Sequence, residues 1–261
     1  MKKILRNSVF RLLIVIAGNI SMLVFLFTYI IPYSLSSPVT ITITIVMFIL
    51  FSVIFTLTML CELCYDEGSK HLVVYGDLEK ANRWMSILSK LDLFRWYRSQ
   101  YCVFLTIYYR DMDNYEKLEE VLKDKTFSSN ESMELVYNYN QFLLQMNKSS
   151  DELVNQYYDI VTKTYKGNKG VKNKKVALIY LPAIIEAEKS FYFKQYKTVN
   201  SNLKSVQLGK LNKREQAHYH YLKYQATYFG GNKKGSKQYF DLAKNNYPAG
   251  QFIKEIGVKS S

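Results

Sequence analysis

Residues 12–31 read LLIVIAGNISMLVFLFTYII, and residues 39–61 read VTITITIVMFILFSVIFTLTMLC. Neither stretch carries a charge, and the first is interrupted only by Gly18, Asn19, Ser21 and Thr28. A bilayer core of roughly 30 Å takes about 20 apolar residues in helical form, so each stretch is long enough to span. The alternation from Thr40 to Ile45 resembles a strand, but a lone strand in lipid leaves its backbone groups unpaired. Helix is therefore expected, with threonine hydroxyls bonded back to the preceding turn. The basic start, Lys2, Lys3, Arg6 and Arg11, would suit a signal peptide. The apolar run exceeds the usual ~7–15 residues, however, and no small-residue cleavage site follows it. The reading is a retained two-helix transmembrane anchor over residues 1–64, with spans at about 12–31 and 39–61.

Charge sets the expected orientation. Four basic residues precede the first stretch, the connection Pro32–Pro38 carries none, and Lys and Arg are frequent after the second. By the positive-inside rule both termini lie in the cytoplasm and the short connection outside, a two-span protein of the cell membrane. Neither stretch holds an ionisable side chain, whereas pumps and channels place such groups at depth. Two helices are also too few to enclose a path, so the hairpin reads as an anchor. Asn19 is the one strongly polar side chain in it and is expected to bond across the hairpin or between copies.

Residues 65–261 carry helical periodicity without strand-like alternation bounded by turns. Pro182 is the one proline inside an otherwise helical stretch and is expected to kink it. Polar turns recur between a long apolar-aromatic segment and a charged amphipathic one, at Gly76–Ala81, Asp113–Leu118, Ser149–Val154, Lys194–Val199 and Gly231–Ser236. Aligned, they set Leu78, Tyr115, Asp151, Tyr196 and Lys233 at one position, with intervals of 37, 36, 45 and 37 residues. A steady period of this size marks a helical-repeat array. The long interval contains the basic run Lys166–Lys175, with Lys166, Lys169, Lys172, Lys174 and Lys175.

Gly76-Asp77-Leu78-Glu79-Lys80-Ala81 resembles the Gly-Asp-Tyr-x-x-Ala opening of the second helix in tetratricopeptide (TPR) repeats. Ser236, Phe240, Ala243 and Pro248 stand at that family's small, aromatic, small and proline positions, and Leu105, Tyr109 and Tyr115 fit a further unit. The resemblance runs over about residues 65–248, although other residues fill the family's first-helix Trp and Gly positions. It implies an all-α chain, a transmembrane helical hairpin followed by a TPR-like α-solenoid. It further implies a concave groove that holds a protein or peptide partner.

The chain carries 23 Tyr and 15 Phe. Tyr221, Tyr224 and Tyr228 share a helix face by their 3–4 spacing; such a stripe serves packing, and in part recognition. No Gly-rich phosphate loop, HExxH, G-x-S-x-G or kinase signature occurs, so no catalytic, cofactor or metal site is assigned. His218 and His220 point to different faces of one helix, and Cys61-Glu-Leu-Cys64 lacks the companion ligands of a zinc site. Asp111 and Asp113 read as helix caps.

The formal net charge of +13 suits anionic lipid headgroups, and the five lysines of 166–175 are the candidate contact. A membrane-tethered adaptor for a protein or peptide partner, of bacterial origin by its Lys/Asn/Tyr/Ile richness, is the leading expectation. An immunity or stress-response membrane protein is the alternative. Nucleic-acid binding ranks last, because the aromatics follow packing stripes instead of standing exposed among Lys and Arg. A reporter active only in the cytoplasm, fused after Ser261, should be active, and an exterior-only reporter silent. The opposite pattern would overturn the orientation.

Overall fold

The computed structural model describes residues 8–30, 32, 38–167 and 181–257. Every regular element among them is helical. The chain divides into two compact units, Met1–Ser69 with Lys80–Arg98, and Lys70–Glu79 with Ser99–Ser261.

The first unit contains α1 (Ser8–Phe25), continued by a π-helical turn at Leu26–Ile30, and α2 (Pro38–Lys70). With the π turn His71–Tyr75 that follows it, α2 makes one continuous helical stretch, Pro38–Tyr75. That stretch is long and apolar enough to cross a membrane; the apolar part of α1, Leu13–Thr28, is shorter. The Thr-Ile alternation is helical. Thr42, Thr44 and Thr58 donate to the carbonyls of Pro38, Thr40 and Ile54 at 3.0, 2.8 and 2.8 Å, so their hydroxyls are satisfied without water. Asn19 does bond across to α2. Its Nδ2 donates to Thr56 Oγ1 at 3.1 Å and to the Val15 carbonyl at 2.8 Å, and its Oδ1 accepts from Ser52. Gly18 permits the close approach, since a Cβ there would lie 3.2 Å from the Phe55 ring. The outward faces are apolar: Phe27, Val39, Met47 and Phe51 are each more than 60 % exposed.

The same unit includes most of α3 (Leu78–Leu91). Its apolar positions Ala81, Met85 and Leu88 follow helical spacing and are fully buried. Small residues bring α2 and α3 together: a Cβ on Gly68 would meet Met85 at 3.0 Å and the Ala81 carbonyl at 3.4 Å.

The second unit is built of helix pairs. In chain order they are α4 (Arg98–Asp111) with α5 (Tyr115–Leu122), α6 (Glu131–Asn147) with α7 (Asp151–Gly167), α8 (Pro182–Tyr192) with α9 (Tyr196–Leu203), and α10 (Lys213–Phe229) with α11 (Lys233–Asn246). One turn closes all of these pairs. A left-handed residue follows each first helix: Asp113, Ser149, Lys194 and Gly231, with φ of 52, 58, 59 and 98°. The next residue, Asn114, Ser150, Gln195 or Asn232, donates its N–H five residues back, to the carbonyls of Tyr109, Gln145, Ser190 and Thr227 at 2.8–3.1 Å. This is the Schellman arrangement, which satisfies carbonyls orphaned at a helix end. The second helix starts one residue later, at the aligned positions Tyr115, Asp151, Tyr196 and Lys233. Asn114 and Asn232 cap it through their side chains, accepting from the N–H groups of Lys117 and Gly235.

Second helices then pack on the next first helix: α5 on α6, α7 on α8, and α9 on α10. One core joins Cys102, Leu118, Met133, Phe142, Val154 and Ile185. Another joins Ala187, Val199, Leu203, Tyr219, Leu222 and Ala226. Neither helix of a pair could bury these side chains alone. Pro182 does not kink a helix. It stands at the first position of α8 after Leu181, where its missing N–H costs nothing.

Gly76, the left-handed C-cap of the His71–Tyr75 turn, faces the buried Tyr247 ring, 2.9 Å from where a Cβ would stand. Gly76→Ala should lower the unfolding midpoint of the full chain in detergent, at a cost of roughly 1–3 kcal/mol. Gly209→Ala, with nothing within 4 Å of its Cβ, should leave that midpoint unchanged. Equal midpoints for both variants would contradict the Gly76–Tyr247 contact.

Candidate functional site

A groove of about 600 Å³ opens in the second unit. Equivalent positions of successive pairs line it. Arg110, Met146 and Phe191 stand three residues before the left-handed residue of their turns. Asp111, Asn147 and Tyr192 stand two before it, and the turn residues Asp113, Ser149 and Lys194 also face the groove. Helix α10 supplies one face at 3–4 spacing, Arg214, His218, Tyr221, Gln225 and Phe229, and the C-terminal segment adds Phe252 and Lys254.

The deepest polar group is Asp111, the last residue of α4 and 1 % exposed. Its carboxylate takes a two-pronged bond from Arg214, Nε to Oδ2 at 2.6 Å and Nη2 to Oδ1 at 2.5 Å. Tyr247 Oη donates to Oδ2 at 2.9 Å, and the Asp111 carbonyl accepts from Gln251 N at 2.8 Å. Burial alone would push the Arg214 guanidinium down. The Asp111 carboxylate outweighs it and holds the group above its ordinary value, so Arg214 stays charged. Asp111 is therefore not a helix cap, contrary to the sequence reading. Asn114 caps α5, while Asp113 takes the left-handed turn position and accepts from Lys254 Nζ.

Beside this pair lies Glu188, also buried. Tyr139 Oη bonds both of its oxygens at 3.0 and 3.1 Å, and His218 Nε2 lies 3.3 Å from Oε1. Burial pushes the Glu188 carboxyl up to about 7, against the opposing pull of Arg110, the Tyr139 bond and Arg214. Burial, helped by Arg110 and Arg214, pushes the His218 imidazole down to about 3. The Arg110 guanidinium stands 5.1 Å from the centre of the Tyr139 ring, a cation–π distance. The floor of the groove thus carries fixed guanidinium charge, a carboxyl that titrates near neutrality and a neutral imidazole. Aromatic rings, Phe191, Tyr192, Tyr196, Tyr221, Phe229 and Phe252 among them, stand in its walls beside aliphatic and polar side chains.

The structure separates the tyrosine stripe. Tyr221 lines the groove and donates to the Lys254 carbonyl at 3.2 Å. Tyr224 is buried against Phe240 and accepts from Ile256 N at 2.8 Å. Tyr228 packs against Tyr224 and lies under Lys233 Nζ, 5.4 Å from the ring centre. The stripe's main work is to hold the C-terminal segment. Lys166 belongs to the last turn of α7, and Lys169, Lys172, Lys174 and Lys175 lie outside the described residues. Arg214, Gln225 and Phe229 escaped the sequence reading, which weighed His218 only as a metal ligand. With His218 and Tyr221 they form a helical face at 3–4 spacing, offset by three residues from the tyrosine stripe. Among the described residues no group of His, Cys, Asp and Glu could hold a metal ion, and Cys61, Cys64 and Cys102 are buried free thiols.

Comparison with protein-family models, with curated proteins and with solved structures finds no match for this chain.

The two titrating groups oppose each other in stability. Glu188, raised in the fold, stabilises most below its ordinary value of about 4.3 and loses that contribution as pH rises through about 7. His218, lowered, contributes fully above its ordinary value of about 6.5 and loses it as pH falls toward about 3. Glu188→Gln keeps a partner for Tyr139 and removes only the first effect. Between about pH 4.5 and 6.5, the unfolding midpoint of this variant in detergent should climb with pH more steeply than that of the parent chain. Parallel curves would mean that Glu188 is not buried as described.

Proposed function

We propose that this chain is a membrane-tethered helical-repeat adaptor whose groove holds a short segment of a protein or peptide partner at the cytoplasmic face. The observation that carries the reading is the groove itself, lined by repeat-equivalent positions of three successive pairs and by one face of α10. Its volume suits a few side chains. Aromatic rings in the walls supply contact area at little rotamer cost, and Lys194 and Lys254 at the rim supply positive charge toward an acidic segment.

The recurring Schellman turns and the packing of each pair on its successor support a TPR-like stack. In this reading α1 and α2 are the two spans of a hairpin anchor. Support comes from the exposed apolar faces of both helices and from the Asn19–Thr56 bond between them. Both termini then lie in the cytoplasm, and the basic run of residues 166–175 is the candidate contact for acidic headgroups. Tethering raises the effective concentration of the groove for partners on the same membrane.

The test places a photo-crosslinking amino acid at Phe191 or Gln225 in the groove, and at the exposed Lys237 of α11 as a control. Irradiated in native membranes, the groove positions should yield adducts that map to one segment of one protein, and Lys237 should not. Equal, scattered adducts from all three positions would contradict the proposal.

A further inference from the structure

The connection after α3 exposes apolar side chains that neither the groove nor the helix pairs use. Leu93 is 70 % exposed, Phe94 52 % and Trp96 50 %. Phe94 and Trp96 stack, with ring centres 4.9 Å apart. The turn that presents them is fixed from within. Asp92 Oδ1 accepts from Trp96 N at 2.8 Å, and Oδ2 accepts from Tyr97 N at 2.9 Å. Arg95 takes the left-handed conformation at φ 58°. The Asp92 carboxylate is thereby committed to its own backbone, and the exposed tip Leu93-Phe94-Arg95-Trp96 carries one positive charge and no acid.

The height of this tip along α2 is known. The Tyr97 ring lies 6.0 Å from the Tyr65 ring. Burial and the nearby carboxylates of Glu62, Asp66 and Asp92 push the Tyr97 phenol up to about 12. The turn therefore sits against residues 62–66, immediately beyond Cys61, where the uncharged run of α2 ends. At 1.5 Å per residue, Tyr65 stands only about 6 Å past that end. This is the depth of the headgroup layer, where tryptophan and other amphipathic rings concentrate.

We propose that Leu93, Phe94 and Trp96 enter the interfacial layer of the bilayer that α2 crosses, with Arg95 among the lipid phosphates. The loop is a second, shallow anchor beside the end of the apolar run of α2 and fixes the rotation of α3 about it. Lipid is the occupant because the exposed tip stands beside the end of the apolar run that lipid covers in that reading, and because its one charge complements anionic headgroups. The inference rests on the reading of α2 as a membrane span.

The test uses the full chain in vesicles of phosphatidylcholine and phosphatidylglycerol, with Trp84→Phe leaving Trp96 as the single tryptophan. Lipids brominated near the top of the acyl chain should at least halve the Trp96 emission, and aqueous iodide should reduce it far less. Strong iodide quenching without effect of the brominated lipids would overturn the proposal. A nitroxide on Leu93→Cys, with Trp84 retained, gives an independent reading: relaxation by oxygen should exceed relaxation by a water-soluble nickel chelate, and the reverse order would overturn it. An alkaline carbonate wash separates the two levels of the argument. Retained protein with a water-exposed tip contradicts the shallow anchor alone, whereas release of the protein contradicts the span as well.

Discussion

The second unit depends on one buried ion pair. Asp111 closes α4 and Arg214 opens α10, 103 residues apart in sequence. In an array where every pair touches only its neighbours, these residues would not meet. Here they meet in a two-pronged bond, with the Tyr247 hydroxyl as a further donor to the carboxylate and the Gln251 amide donating to the Asp111 backbone carbonyl. Taking two charges out of water costs several kcal/mol per ion, which only good geometry and further hydrogen bonds offset. The contact therefore tolerates little displacement. It fixes the floor of the groove, and with it the positions of Arg110, Glu188 and His218.

The C-terminal segment completes that constraint. Gln251, Lys254 and Ile256 are each held by a residue of α4, of its turn or of α10. Phe252 packs beside Tyr221, His218 and Tyr247, with ring centres 5.9–6.3 Å apart. One wall of the groove is thus made by chain that belongs to no helix pair. The ordered, irregular backbone there is satisfied by side-chain hydroxyls as well as by turns.

Much of the architecture was legible because it is local. Apolar runs, capping residues and turn residues act within five or six positions, and the five aligned positions from Leu78 to Lys233 all begin a helix. The carboxamide of Asn19 was legible for a similar reason: one polar group in an apolar run has few possible partners. The site was largely illegible. Nothing near Asp111 in sequence distinguishes it from a cap such as Asn114, since its partner lies 103 residues away. Glu188 and His218 acquire their shifted protonation only from burial that the whole unit creates. Pro182 was misread because the apolar pattern around it continues, while the helix begins at the proline itself.

The most direct test of this account is a double-mutant cycle on the ion pair in the full chain in detergent. Asp111→Leu and Arg214→Met should each cost roughly 3–5 kcal/mol, because each leaves a buried charge uncompensated. The double variant should cost far less than the two together, with a coupling energy of at least about 2 kcal/mol. Additive losses would contradict the claim that this pair organises the groove.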